Sequence, residues 1–218
     1  MEPQAYLFDM DHTLINNDCD VSWKDFLIEK GLAPKSSIEA AEMFFQQYKQ
    51  NRLDMSAFLN FQLKEFEGRT VEEMKVLAKE HFETFVKDKI YQSAFLAVKA
   101  ALATGKPVAL LTATNRVLAQ PLAEYFGIPT VLAFDIKLEG EKYLPEPADE
   151  ISHGSGKIDY AAAFLAQFGL DLNACAYYGD STSDIPILSA VGFPNPVNPS
   201  PELRALSQTN GWEIINFI

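Results

Sequence analysis

An α/β fold, built on a doubly wound, mostly parallel sheet with an inserted all-helical cap, is predicted by three observations. The first strand candidate, Ala5 to Asp9, is apolar throughout instead of alternating, as a strand covered on both faces must be. Short apolar runs return at 107–111, 130–134 and 174–178 with helical patterns between them, and that rhythm belongs to parallel strands joined by crossover helices. Between the first strand and this alternation, residues 16–86 offer helical periodicity alone. The predicted organisation is an α/β core from 1–15 and 87–218, with a four-helix cap from 16–86.

The elements follow in order. Val21, Trp23, Phe26, Leu27 and Ile28 make one apolar stripe, and Lys30-Gly31 ends that helix. Pro34-Lys35-Ser36-Ser37 opens a second, which runs through Phe44, Phe45 and Tyr48 to about Gln50. A third spans Met55 to Phe66 and closes at Gly68. Thr70 with Glu73 has capping-box spacing and opens a fourth, Val71 to Val86. A small bundle needs aromatic bulk, so Phe44, Phe45, Phe58, Phe61, Phe66, Phe82 and Phe85 are expected as its core.

Beyond it, Ile90 to Thr104 reads as a helix, Pro107 to Leu111 as a strand, Leu118 to Tyr125 as a helix stopped by Gly127, and Thr130 to Phe134 as a strand. Asp135 to Leu144 fits a short hairpin, and the Pro-rich span Pro145 to Gly156 a surface loop. A helix over Lys157 to Phe168, a strand over Ala174 to Tyr178, a short helix over Ile185 to Ala190 and a last strand over Val191 to Phe193 complete the alternation. The tail, with four prolines and a helix near Glu202 to Ser207, is expected to return Trp212, Ile214, Ile215 and Phe217 to the sheet.

Charge and composition bound the function. The 218 residues carry 18 Lys and Arg against 30 Asp and Glu, a net charge of -12 that opposes binding to the phosphate backbone of nucleic acids. An anionic small substrate would need a local cation. Cys19 and Cys175 are far apart and form no CxxC or zinc-like cluster, which suits reduced thiols. No apolar run reaches the ~18 residues of a membrane span, and Met1-Glu2-Pro3-Gln4 has no basic leader, so a soluble, cytoplasmic monomer or homodimer is expected.

The chemistry gathers where strands end. Ligands of parallel sheets bind outside the carboxyl ends of the strands. The first strand ends in Asp9 and Asp11, the second in Thr112, Thr114 and Asn115, and a later one in Asp180, Ser181, Ser183 and Asp184. Alone, Asp9 and Asp11 read as well as solvated acids, with Asp11 capping a turn through Thr13. Converging with Asp180, they need a cation or a shared proton. Oxygen donors without His or Cys describe a hard-cation site, and Mg²⁺ would present an anionic phosphate to this acidic edge. Carboxylate attack on that phosphate would give an aspartyl-phosphate. Gly154-Ser155-Gly156-Lys157 lacks the glycine spacing and preceding strand of a nucleotide phosphate loop.

Asp9-Met10-Asp11-His12-Thr13-Leu14, Thr112, Lys157 and Gly179-Asp180-Ser181-Thr182-Ser183-Asp184 together resemble the four ordered motifs of the haloacid dehalogenase superfamily. The helical insertion after the first motif resembles that of its phosphoserine-phosphatase-like branch. The resemblance implies Asp9 as nucleophile and metal ligand. It makes Asp11 the acid and base, with its backbone carbonyl on the metal. Thr112 and Lys157 would hold the phosphoryl group, beside Ala113 and Asn115. Asp180 would complete the Mg²⁺ ligands, and Asp184 would orient Lys157 or water from behind. Lys142 is the alternative cation, but it precedes no helix. The implied activity is hydrolysis of a small phosphorylated metabolite; transfer to another acceptor, carbon-halogen hydrolysis and a non-catalytic phosphate or metal sensor are the alternatives.

Register with that branch puts Asp18 where an acid would meet a substrate ammonium, and Asn60 near where an arginine would clamp a carboxylate. Arg52 and Arg69 fall outside that register. Loss of a bidentate clamp argues against phosphoserine as the true substrate and for other amino-alcohol, sugar or amino-acid phosphates.

Overall fold

The computed structural model of the chain describes residues 2–49, 52, 54–149 and 153–218. Strand β1 (Ala5–Phe8) enters a loop, then four helices follow: α1 (Cys19–Glu29), α2 (Ser37–Lys49), α3 (Met55–Leu63) and α4 (Val71–His81). Helix α5 (Gln92–Ala103) leads to β2 (Val108–Leu111), α6 (Arg116–Phe126) and β3 (Thr130–Leu132). The hairpin β4 (Ile136–Glu139) and β5 (Lys142–Pro147) precedes α7 (Gly156–Ala166) and β6 (Cys175–Gly179). Helix α8 (Ile185–Ala190), β7 (Phe193–Pro196) and α9 (Pro201–Asn210) end the chain.

The main sheet has the order β3-β2-β1-β6-β7, and all its pairings are parallel. Phe8 lies level with Leu110 on one side and Tyr178 on the other, so Asp9, Thr112 and Asp180 leave the same edge of neighbouring strands. Strand β1 is buried almost throughout, which its unbroken apolar run required. Helices cover both faces. One layer joins Phe8, Leu110, Val98, Leu122 and Phe217, and the other joins Leu7, Ala109, Leu165, Tyr177 and Leu188. The expected α/β architecture is therefore present.

Three of the inserted helices begin at a side-chain cap, the first of them at Cys19 rather than at Val21. Asp18 accepts a hydrogen bond from Val21 N at 3.0 Å, and Asp54 accepts one from Ala57 N at 3.1 Å. The Thr70–Glu73 capping box closes in both directions, at 3.2 and 2.7 Å. Trp23, Phe26, Leu27, Leu63, Phe66, Met74 and Ala78 form the core of the insertion. That core continues into Leu118, Phe134, Ile136 and Tyr143, so the hairpin and α6 serve as its floor. Among the described residues no helix is long and apolar enough to cross a membrane. Cys19 and Cys175 are both buried and unpaired.

The larger departures from the expected boundaries have local reasons. The third helix tightens into a 3₁₀ turn at Lys64–Phe66, and the fourth widens into a π turn at Phe82–Val86 before a 3₁₀ turn at Lys87–Lys89. Strand β5 runs on to Pro147, into the span expected as loop, in a two-stranded ribbon whose β5 edge is bridged to Thr70. Strand β7 starts at Phe193 rather than Val191 and takes in Pro194 and Pro196. It pairs only with β6, and an edge strand tolerates residues without an N–H. The expected second-helix end at Gln50 and the side chains of Phe45 and Tyr48 lie outside the described residues.

Candidate active site

Parallel register converts sequence spacing into a cluster at the carboxyl edge of the sheet. Asp9 leaves β1 with its N–H donated to Tyr178 O on the neighbouring strand at 2.9 Å, which fixes its height. Lys157, in the first turn of α7, is 2% exposed. Its ammonium donates to Asp9 Oδ1 at 2.7 Å, Asp184 Oδ1 at 2.7 Å and the Tyr177 hydroxyl at 2.9 Å. Three acceptors for three protons leave the ammonium saturated.

Asp184 is completely buried and fully used. Tyr177 donates to its Oδ1 at 2.6 Å, while the N–H groups of Asp180 and Ser181 reach its Oδ2 at 3.1 Å each. Burial alone would raise its pKa, but the Lys157 charge and these hydrogen bonds outweigh burial and hold it below the usual carboxylate range. Burial would likewise lower the lysine, yet Asp184 and Asp9 keep it well above its ordinary value. Gly179 is required by this packing: a Cβ there would sit 2.7 Å from Asp184 Oδ2 and 2.8 Å from the Tyr177 ring.

The remaining acids behave differently. Burial pushes Asp9 up to about 6 against the pull of Lys157. Asp11 is pushed up to about 7 by burial and then by the charge of Asp18; its carboxylate accepts Cys19 N at 2.8 Å and the Thr114 hydroxyl at 2.7 Å. Asp180 is pushed up to about 9 by burial and then by Asp9. Thr13 joins two of them, donating to Asp9 Oδ2 at 3.1 Å with Asp180 Oδ1 at 3.4 Å. Thr114 N donates to Thr112 Oγ1 at 3.1 Å, which aims the second-strand turn at the same edge.

These groups suit a hard divalent cation. Asp9, Asp180 and Asp184 each bring a carboxylate oxygen within 4.8 Å of the others, near the ~4 Å that separates opposite ligands of one Mg²⁺. Because the oxygens of Asp184 are taken, Asp9 and Asp180 are the side chains with capacity left. Their raised proton affinities are what mutual repulsion and burial produce, and a cation relieves both.

The acids open into a cavity of about 350 Å³. Asp9, Asp11, Thr112, Ala113, Asn115, Lys157 and Asp180 all line it, so the strand-end residues singled out in the sequence converge there. Asp184 lies just behind it. Asp18 lines the cavity while capping α1. Asn60 does not: it is exposed, and Gln62 two residues on takes the lining position. Lys142 is exposed on the hairpin, with its backbone bridged to Thr70. Phe44, Phe58 and Phe61, expected in the core of the bundle, pack on one another and also line the cavity. Tyr177, Thr13, Asp20, Gln62 and His153 are functional candidates to which the sequence reading gave no role; Thr13 alone among them had a local signal, as a hydroxyl inside the first motif.

A parallel sheet that focuses acids and one lysine on a cavity under an inserted helical layer defines the class of protein. Residues 6–189 match the haloacid dehalogenase-like hydrolase family. The chain belongs to that family. A histidinol-phosphatase of Neisseria meningitidis is 30% identical over 97% of each chain. A phosphoserine phosphatase of Mycobacterium tuberculosis is 30% identical over 98% of this chain and 70% of its own length. Among solved structures, a Bordetella pertussis protein of unknown function has a TM-score of 0.90 and 30% identity, with 99% of each chain covered. A substrate-bound phosphoserine phosphatase has a TM-score of 0.69 at 15% identity, covering 100% of this chain and 93% of that one, and shares the fold. The expectation of an enzyme of the phosphatase class agrees with what these relatives are called.

Proposed function

We propose that the chain is a Mg²⁺-dependent phosphomonoester hydrolase that releases phosphate from a small metabolite through an aspartyl-phosphate on Asp9. The observation that carries this reading is the Lys157 bridge, in which one ammonium binds Asp9 Oδ1 and Asp184 Oδ1 at 2.7 Å each. It fixes one oxygen of the nucleophile and offsets part of the negative charge at the edge to which a phosphate must come. Asp9, Asp180 and the backbone carbonyl of Asp11 would hold Mg²⁺. When bound, the ion supplies charge compensation to the phosphoryl oxygens.

Asp9 then attacks phosphorus as the bond to the leaving oxygen breaks, and Asp11 gives that oxygen a proton. A pKa of about 7 suits this role, because the group can hold the proton and take one back near neutrality. In the second half, Asp11 removes a proton from water as it attacks the acyl phosphate, returning Asp9 and releasing inorganic phosphate. Thr112 holds the transferred group and Lys157 offsets its charge from beside Asp9, with Ala113 and Asn115 bordering it, and Asp184 keeps Lys157 in place.

Residues 16–86 act in this reading as a cap domain over a core of 1–15 and 87–218, excluding water from the reaction edge. The substrate is a small phosphorylated amine, a class that a histidinol-phosphatase and a phosphoserine phosphatase have in common. The cytoplasm is the proposed compartment, where buried unpaired thiols persist. Hydrolysis of p-nitrophenyl phosphate with Mg²⁺ and its loss in EDTA are the expected results. Undiminished turnover in EDTA, or release of halide from a haloacid without Mg²⁺, would overturn the reading.

A further inference from the structure

The cavity has a second end, formed by the inserted helices, and its chemistry is one-sided. The charged side chains that the insertion places in the lining are Asp18 and Asp20, both acidic. Lys157 is the lysine in the lining, and it is held by Asp9 and Asp184; among the described residues no arginine lines the cavity. Lys24, one helical turn beyond Asp20, turns elsewhere: its ammonium pairs with Glu65, donates to Phe61 O and lies 4.2 Å above the Phe61 ring. Glu65 takes the direct ion pair of that lysine, so its charge reaches Asp20 only through space, and the insertion's contribution to the wall stays net acidic.

An independent observation lies on the facing helix. Gln62 lines the same cavity, is 7% exposed, and has a buried Oε1 with no hydrogen-bond partner. A buried carbonyl in that state is destabilising until a donor arrives. Lys24 donates to Phe61 O, which ties α1 to α3 one helical turn from Asp20 and one residue from Gln62, and both of those residues line the cavity. Next to them Phe44, Phe58 and Phe61 form a packed aromatic face, with Phe44 centred 5.7 Å from Phe58 and 5.2 Å from Phe61.

We propose that Asp20 and Gln62 are specificity-determining residues that select phosphomonoesters of amino alcohols and reject those bearing a carboxylate. This rests on the phosphatase reading above. A primary ammonium brings three N–H donors and one positive charge to a wall of acceptors, and aromatic faces attract the same charge. A carboxylate would meet two acids without a guanidinium to pair with it, a repulsive element that sharpens the choice. The aromatic face accommodates a flat or apolar side arm beside the amine.

The test is a set of kcat/KM values with Mg²⁺ on phenylalaninol phosphate, its des-amino analogue 3-phenylpropyl phosphate, phosphoserine and p-nitrophenyl phosphate. The amine should be favoured over its des-amino analogue by about tenfold or more, and over phosphoserine by at least as much. Asp20→Asn and Gln62→Met should each pull the amine to des-amino ratio to within about threefold, whereas Gln62→Glu, which keeps an acceptor, should preserve it. Ratios are read within each protein, so a reduced folded fraction cancels. Equal use of amine and des-amino substrates, a ratio unmoved by Asp20→Asn and Gln62→Met, or a preference for phosphoserine overturns the selectivity while turnover of p-nitrophenyl phosphate upholds the phosphatase. Inertness of all four substrates would overturn that reading and this proposal together.

Discussion

The two ends of the cavity are built on opposite principles. At the sheet edge one lysine cross-links three elements: Lys157 of α7 meets Asp9 after β1, Tyr177 of β6 and Asp184 before α8. At the insertion end, Asp18, Asp20 and Gln62 face the cavity without a cation from the protein among the described lining residues. A saturated network holds its members rigidly in one geometry, whereas unsatisfied acceptors await a ligand. Under the proposed function, the difference divides the labour: the sheet edge carries the reaction and the insertion chooses the molecule.

Substitutions at the sheet edge should cost most. Asp9→Asn should lower p-nitrophenyl phosphate turnover by more than about 10⁴-fold, because in the proposed reaction Asp9 is the group that forms the acyl phosphate. Asp11→Asn should cost about 10² to 10⁴-fold with an alkyl phosphate and clearly less with p-nitrophenyl phosphate in the first step, whose leaving group needs little protonation. Equal losses on both substrates, measured by single-turnover kinetics, would remove the acid role from Asp11.

Within the insertion, His81 gives a stability signal independent of catalysis. It is almost wholly buried beside Trp23 and Phe26, its Nε2 is 2.9 Å from Ser22 Oγ, and burial lowers its pKa from 6.5 to about 4. Between those values the unfolded chain binds the extra proton, so stability falls as the pH drops from 6.5 toward 4 and is flat in this respect above and below. The expected loss across the window approaches about 3 kcal/mol. Urea unfolding of wild type and His81→Phe at several pH values checks it: the variant should have a shallower slope through that window.

The smallest effect is expected from Tyr177→Phe. It removes one donor to Asp184 and one acceptor for Lys157 without changing the packing of the ring, and should cost about 1 to 3 kcal/mol of stability or about tenfold in kcat. A variant indistinguishable from wild type in both would mean that Lys157 and Asp184 hold each other unaided.

How much of this was legible depended on range. Asp9, Asp11, Thr112 and Asp180 were readable because each terminates an apolar run, and parallel strands deliver their ends to one edge. Lys157 and Asp184 were readable only in company with those motifs. Tyr177 was not, because an aromatic inside a buried strand looks like core, and its hydroxyl finds partners from α7 and the turn before α8. The insertion was the least legible part. Lys24 is buried against the rule for lysine, Val21 from the predicted apolar stripe is 44% exposed and lines the cavity, and Gln62 rather than Asn60 faces it. Helix packing decides such choices, and a two-residue shift turns a helical side chain by more than half a turn.

The central claim is tested most directly by trapping the covalent intermediate. Acid quench of the enzyme with Mg²⁺ and an excess of p-nitrophenyl phosphate, followed by mass analysis of the intact chain and its peptides, should find one phosphoryl group on Asp9 and none in Asp9→Asn. A phosphoryl group on another residue, or full turnover by Asp9→Asn, would contradict the account.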